Sequence, residues 1–130
     1  MKTLLGTIGL LSATISAPTL ATDWTHIENE AKGQTVYFHA WGGSQEINRY
    51  IQWAGNELSD HYGVTLKHVK VTDIAETTTR LVAEKAAGKN TGGSVDIVWI
   101  NGENFKSMKD NALLFGPFTQ SLPNWQYVDK

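Results

Sequence analysis

Three short runs rich in β-branched and aromatic residues, each followed by a segment of helical periodicity, constrain the fold of this chain most. They span residues 35–40 (TVYFHA), 64–71 (VTLKHVKV) and 94–100 (SVDIVWI). The second run alternates apolar and polar residues, which is typical of a strand with one wet face, whereas the third predicts a strand covered on both faces. Strands that alternate with helices form parallel sheets with helices on their faces. The sequence therefore predicts an α/β fold with a parallel sheet and helices on its faces.

Local signals mark where the helices begin and end. Ser44 is a good N-cap for a helix to about residue 61, and Gly63 supplies its stop. Asp73 and Glu76 have the spacing of a capping box. Flanking helices are predicted over residues 23–32 and from Asn101 to about residue 109, the latter with Phe105 and Met108 facing inward.

The loop that follows the first strand is the first candidate binding site. Ligands of open α/β sheets lie outside the carboxyl ends of the strands, where the chain crosses into helices. There Trp41 offers an aromatic wall, and Gly42 and Gly43 allow the backbone to approach a ligand closely. Ser44 then begins a helix whose free N–H groups favour anions. The alternative interpretation is a tight structural turn with Ser44 as a cap and Trp41 in the core.

The loop that follows the third strand is the second candidate. Asn101 and Asn104 both donate and accept hydrogen bonds, Gly102 lies between them, and Glu103 can pair with a cation. Asn101 is equally well explained as a helix cap, and Glu103 is better explained as a favourable first-turn residue. Asp96, among apolar neighbours, is expected to be partly buried and to need a helix N-terminus or a basic side chain as partner.

Signals for catalysis and for metal binding are poor. The chain has no G-x-S-x-G elbow, P-loop or complete G-x-G-x-x-G. The four histidines lack the spacing of a metal site, and cysteine is absent. A net charge of −2 gives no electrostatic case for nucleic acid or an anionic membrane as partner. We therefore expect no enzyme activity, no metal and no cofactor.

The first 21 residues have the order of a secretory signal peptide. Lys2 precedes a short apolar core, residues 4–11, and a small-residue exit follows. The core is much shorter than the roughly 20 residues that span a bilayer. We expect cleavage after Ala21, with Ala17 as the alternative, and a periplasmic mature chain over residues 22–130. Without cysteine, the mature chain has no acyl attachment site and is not expected to be membrane-anchored.

The most specific stretches are WGGS, which ends the run from Thr35 to Ser44, and DIVWINGENF, which ends the run from Gly92 to Phe105 (GGSVDIVWINGENF). With these stretches the chain resembles the extracellular solute-binding proteins of ABC importers, most closely a thiamine-type branch. The resemblance covers residues 34–118. It implies a two-lobed clamshell of the type II periplasmic-binding-protein fold, in which each lobe has a doubly wound parallel sheet. Residues 22–130 would form the incomplete N-terminal part of lobe 1, with part of such a sheet. Members of that family are commonly about three times this length, so the chain is interpreted as an N-terminal fragment.

The resemblance also implies a function and a set of site residues. It implies that the chain captures a small molecule in the cleft between the lobes and delivers it to the membrane subunits of an ABC importer. The ligand-binding residues that it implies are Trp41, Gly42, Gly43, Ser44, Asn101, Gly102, Glu103 and Asn104. The alternatives are a periplasmic α/β enzyme fragment with the same loops around its substrate, and a non-functional fragment of a decayed gene.

Overall fold

A computed structural model describes residues 24–129, so the predicted signal peptide lies outside the described residues. The described chain has the order helix, then strand and helix three times, then two short 3₁₀ turns. In chain order the elements are α1 (Trp24–Ala31), β1 (Thr35–Trp41), α2 (Gln45–Tyr62), β2 (Thr65–Val71), α3 (Ala75–Ala86), β3 (Ile97–Val98), α4 (Gly102–Asp110) and the turns Thr119–Ser121 and Pro123–Tyr127.

The three strands form one parallel sheet in the order β2-β1-β3, which confirms the predicted α/β class. β1 is the central strand and pairs with β2 along its whole length, from Thr35 opposite Thr65 to Trp41 opposite Val71. The chain moves outward from β1 to β2 and then returns past β1 to β3. The direction of winding therefore reverses at β1, and the loops after β1 and β3 lie at this switch point.

The ends of α2 follow the predicted signals. The Ser44 side chain accepts a hydrogen bond from the Ile47 N–H at 3.3 Å, and the helix ends at Gly63 in the left-handed conformation. Ile51 is 3 % exposed and anchors the helix on the sheet, and Gly55 lies opposite Leu66 of β2. Both ends of α2 agree with the prediction, because each cap depends on residues that are close in sequence.

His39 on the central strand is 2 % exposed and joins three parts of the fold. Its Nε2 lies 3.0 Å from the Ser94 carbonyl oxygen, ahead of β3, and its Nδ1 lies 3.1 Å from Thr77 Oγ1 on α3. A carbonyl can only accept, so Nε2 carries a proton and donates it; in the neutral ring Nδ1 then accepts from the Thr77 hydroxyl. Both ring nitrogens are thus satisfied inside the protein.

The third strand differs from its prediction. Only Ile97–Val98 is strand, and Ile97 and Trp99 are 51 % and 55 % exposed rather than covered on both faces. Within residues 24–129 β3 pairs only with β1, so no strand in that range pairs with its outer edge. Asp96 is exposed rather than partly buried, and its Oδ2 accepts a hydrogen bond from the Tyr37 N–H at 2.8 Å. Its partner is therefore a backbone group of β1, and this bond adds a contact to the short pairing.

The buried core of the described chain is small. Its fully buried apolar side chains include Ala40, Ile51 and Met108, whereas Phe105, predicted to face inward beside Met108, is 46 % exposed. Large apolar side chains stay exposed over much of the surface, among them Tyr50, Trp53 and Phe115. Among the described helices, none combines the length and apolar character needed to cross a membrane.

We expect the His39→Leu substitution to lower the free energy of unfolding by roughly 1–3 kcal/mol, because the Thr77 hydroxyl and the Ser94 carbonyl lose their buried partner. His61→Leu, at an exposed site near the end of α2, is the control and should change stability by about 0.5 kcal/mol or less. Urea unfolding measures both. Equal effects of the two substitutions would contradict the role assigned to His39.

Candidate functional site

A cleft of about 300 Å³ lies at the carboxyl ends of the strands. The loops after all three strands contribute to it: Trp41 after β1, Thr72, Asp73 and Ile74 after β2, and Trp99, Ile100 and Asn101 after β3. This is the edge of the sheet at which α/β proteins bind ligands, and it includes the switch point between β1 and β3. Of the eight predicted site residues, the structure brings Trp41 and Asn101 together in this cleft.

Close packing explains the two glycines that follow Trp41. A Cβ on Gly43 would overlap the Trp41 indole, and a Cβ on Gly42 would lie 2.7 Å from the Lys70 Cβ. The indole therefore rests on the backbone at Gly43, while Trp41 as a whole remains 51 % exposed. Trp41 is a supported aromatic surface at the cleft, and it is not part of the core as the alternative interpretation had it.

Further hydrogen bonds hold the loop between β1 and α2. The Gly42 N–H donates to the Val71 carbonyl at 3.1 Å, which extends the β1–β2 pairing by one residue. The Gly42 carbonyl accepts from Asn48 Nδ2 of α2 at 2.9 Å. Ser44 uses its hydroxyl oxygen as the cap of α2. Gly42, Gly43 and Ser44 therefore position Trp41 and α2 but do not line the cleft.

Most hydrogen-bonding groups of the amide side chains at the start of α4 already have partners within the protein. Asn101 Oδ1 accepts from both the backbone N–H and the Nδ2 of Asn104, each at 3.0 Å. Asn104 Oδ1 in turn accepts from the Thr78 hydroxyl of α3 at 3.1 Å. Asn101 is thus a helix cap that also lines the cleft, with its amide nitrogen left for a ligand. Asn104 joins α3 to α4 and lies outside the cleft lining.

Gly102 and Glu103 stand in the first turn of α4, and neither lines the cleft. Both are exposed, and a Cβ on Gly102 would meet no atom within 4 Å. The structure therefore gives no packing reason for glycine at position 102. Glu103 fits the alternative interpretation of an acidic first-turn residue, which favours the helix dipole.

The sequence-based prediction of the site did not include the loop after β2. Asp73 lines the cleft, and its Oδ1 accepts a hydrogen bond from the Ala75 N–H at 2.9 Å, while its own N–H donates to Glu76 Oε1 at 3.1 Å. The Glu76 half of the predicted capping box is therefore present, whereas Asp73 accepts from the Ala75 N–H instead of the Glu76 N–H. The second carboxylate oxygen of Asp73 remains for a ligand. The signal was available, because this loop also follows a parallel strand and must reach the same edge of the sheet.

The cleft combines aromatic side chains with one carboxylate. Trp41 and Trp99 are each about half exposed, and Trp99 also stacks on Phe38 at a centroid distance of 6.4 Å. Asp73 supplies the only carboxylate among the lining residues, which include no lysine or arginine. Indole faces and a carboxylate attract cations and flat rings. Across residues 24–129, no group of three or more His, Cys, Asp or Glu side chains is placed to hold a metal ion.

We expect Gly43→Ala to lower the free energy of unfolding by roughly 1–3 kcal/mol, because the new methyl group displaces the Trp41 indole. Gly102→Ala is the matched control. It meets open space, and alanine favours a helix, so its effect should be neutral or stabilising by up to about 1 kcal/mol. Urea unfolding followed by tryptophan fluorescence separates the two. A destabilisation of the same size in both variants would contradict the packing described at Gly43.

Comparison with known proteins gives one curated relative at high identity. The chain is 52 % identical over 122 residues to Protein YnjB of Escherichia coli (strain K12). The match covers 94 % of this chain but 31 % of YnjB, so the chain spans about a third of the length of that relative. No protein-family model matches the chain, and no solved structure matches it.

Proposed function

We propose that this chain forms part of the first lobe of a periplasmic solute-binding protein that serves an ABC importer. The observation that carries the proposal is the cleft at the switch point of the parallel sheet, where Trp41 and Asn101 meet Asp73. Open sheets with this winding bind small molecules at this position. In the proposed architecture, of the type II periplasmic-binding-protein kind, the cleft is one wall of the space between two lobes.

The lining of the cleft favours a flat, positively charged solute. A cation over an indole face gains about 0.5–2 kcal/mol, depending on how far it is desolvated. The free oxygen of Asp73 can pair with the same cation, and the amide nitrogen of Asn101 can donate to an acceptor on the ring. The cation partner in this proposal is therefore Asp73, and Glu103 has no part in it.

Exposed apolar surface supports a larger assembly of which this sheet is one part. Ile97 and Trp99 on β3 and Tyr50 and Trp53 on α2 are each more than half exposed. Surfaces of this kind are commonly covered in a complete protein. A protein as long as YnjB has room for two lobes of the proposed kind. We propose that further polypeptide covers the β3 side of the sheet and supplies the second wall of the cleft.

Capture without chemistry is the proposed mode of action. Trp41 and Trp99 give a surface on which a ring can stack, and Asp73 and Asn101 fix its orientation. Thr72 is the one hydroxyl side chain in the cleft lining, and the lining contains no histidine to activate it as a nucleophile. Closure of a second lobe would then exclude water and hold the solute.

Titration with thiamine, a flat cationic heterocycle, tests this function, with maltose as the neutral comparison. We expect saturable, stoichiometric binding of thiamine by calorimetry, with the compound recovered unchanged. Trp41→Ala and Asp73→Asn should each weaken binding about tenfold, which corresponds to a loss of about 1.4 kcal/mol. Trp24→Ala, in α1 and away from the cleft, is the matched control and should leave the affinity unchanged.

Two results would count against this function. Conversion of thiamine to a product would favour the enzyme alternative, in which the same loops hold a substrate. Equal affinities of the Trp41→Ala and Trp24→Ala variants would remove the cleft as the binding site.

Periplasmic location is a separate part of the proposal and has its own test. When the complete gene product is expressed in a bacterium, we expect the periplasmic fraction to contain a chain that begins at Thr22, because the signal peptide is removed after Ala21. Intact mass spectrometry with N-terminal sequencing measures this. A chain that keeps Lys2 and stays in the cytoplasm would contradict export, whereas a start at Pro18 would move the cleavage site to Ala17.

A further inference from the structure

A second and larger groove lies between α2 and β2, apart from the cleft. Its volume is about 580 Å³, which is within the range of small-molecule sites. Polar side chains of α2 form one wall, and Leu66, His68 and Lys70 of β2 form the other. The groove and the cleft share no lining residue. An occupant of this groove would therefore be a different molecule from the solute in the cleft, or a different part of a larger one.

Positive charge in the groove is uncompensated. Arg49 and Lys70 both line it, and no aspartate or glutamate does. Neither cation forms an ion pair with any residue in the described part of the chain. The acidic side chain of α2 that has a partner, Glu57, pairs instead with His61 at 3.3 Å. Two unpaired cations on facing walls favour an anion between them.

Asn48 is a fixed part of the same wall. Its Nδ2 donates to the Gly42 carbonyl at 2.9 Å, which fixes the orientation of the amide. Its Oδ1 is buried and has no hydrogen-bond partner among the described residues. Because this oxygen is not accessible from the groove, it takes no part in binding an occupant.

We propose that this groove binds a small oxyanion, such as a phosphate monoester. The oxyanion lies between Arg49 and Lys70, which line the two walls of the groove. The neutral polar side chains Gln52 and Asn56 line the same wall and can accept or donate further bonds. The proposal does not depend on the function proposed for the cleft, because the residues are separate.

His68 gives this proposal a built-in reporter. Burial lowers its pKa below the usual value of 6.5, and the nearby Lys70 lowers it further, against the Ala40 carbonyl, which raises it. The charged groups that line the groove with His68 are Lys70 on its own strand and Arg49 on α2. A bound oxyanion opposes the effect of these cations and favours the imidazolium form. Binding in the groove should therefore raise the pKa of His68.

Histidine NMR titrations with glycerol 3-phosphate test the proposal on the intact chain. We expect a saturable rise in the pKa of His68 and no comparable change at the exposed His26. Inorganic phosphate should also raise the pKa of His68, because the phosphate group carries the charge, and glycerol alone should have no effect. A His68 pKa unchanged by glycerol 3-phosphate at millimolar concentrations would overturn the proposal.

Matched charge removals locate the site. Arg49→Gln and Lys70→Gln should each weaken binding of glycerol 3-phosphate about fivefold or more, measured by calorimetry. Arg80→Gln on α3 and Lys67→Gln, whose ammonium lies 5.4 Å from the Tyr37 ring centroid, remove the same charges outside the groove. These controls should keep the affinity within about twofold. A similar loss in all four variants would show attraction by the overall charge alone and would overturn the site.

Discussion

The buried histidine of the central strand is the interaction on which the rest of this structure depends. His39 holds α3 through Thr77 and the segment before β3 through Ser94, and it does so from the middle of a three-stranded sheet. Since β3 contributes only two residues to the ladder, its pairing alone is weak. The hydrogen bonds from His39 to the Ser94 carbonyl and from the Tyr37 N–H to Asp96 add to the backbone bonds from Asp96 to Tyr37 and from Trp99 to His39. Together these contacts set where β3 and the loop after it lie beside β1.

Both proposed sites are consequences of how the chain leaves β1 and β2. The turn after β1 brings backbone against the Trp41 indole and the Lys70 side chain, which only glycine at positions 42 and 43 permits. That packing places Trp41 at the cleft on the carboxyl edge of the sheet. It also brings the first turns of α2 beside the end of β2, where the polar groove begins. One tight loop therefore separates an acidic aromatic cleft from a cationic polar groove.

Sequence signals predicted the parts of the fold that depend on near neighbours. Ser44 and Gly63 bound α2 because a cap and a left-handed residue act within one turn. Burial of the third strand was not predictable in this way, since it depends on what covers Ile97 and Trp99 from elsewhere. The apolar run alone therefore suggested a covered strand that the described chain leaves half exposed.

Only part of the site was predicted, because the sequence shows local signals and not the contacts between distant elements. Trp41 and Asn101 follow strands that carry obvious signals, and the structure brings them to one cleft. Asp73 was recognised only as a cap, although its loop reaches the same edge of the sheet. The hydrogen bond that occupies the Asn104 side chain could not be predicted from the sequence, because its partner Thr78 is 26 residues away on another helix. The cationic groove likewise depends on Arg49 and Lys70 being opposed across two elements.

The central claim is that the cleft at Trp41 captures a flat cationic solute, and the indole N–H signals of the five tryptophans test it most directly. In a ¹⁵N-labelled protein titrated with thiamine, we predict that the signals of Trp41 and Trp99 move saturably. Those of Trp24 and Trp53 should stay in place, because neither residue lines the cleft. A Trp41 signal that does not move at saturating thiamine would contradict the account.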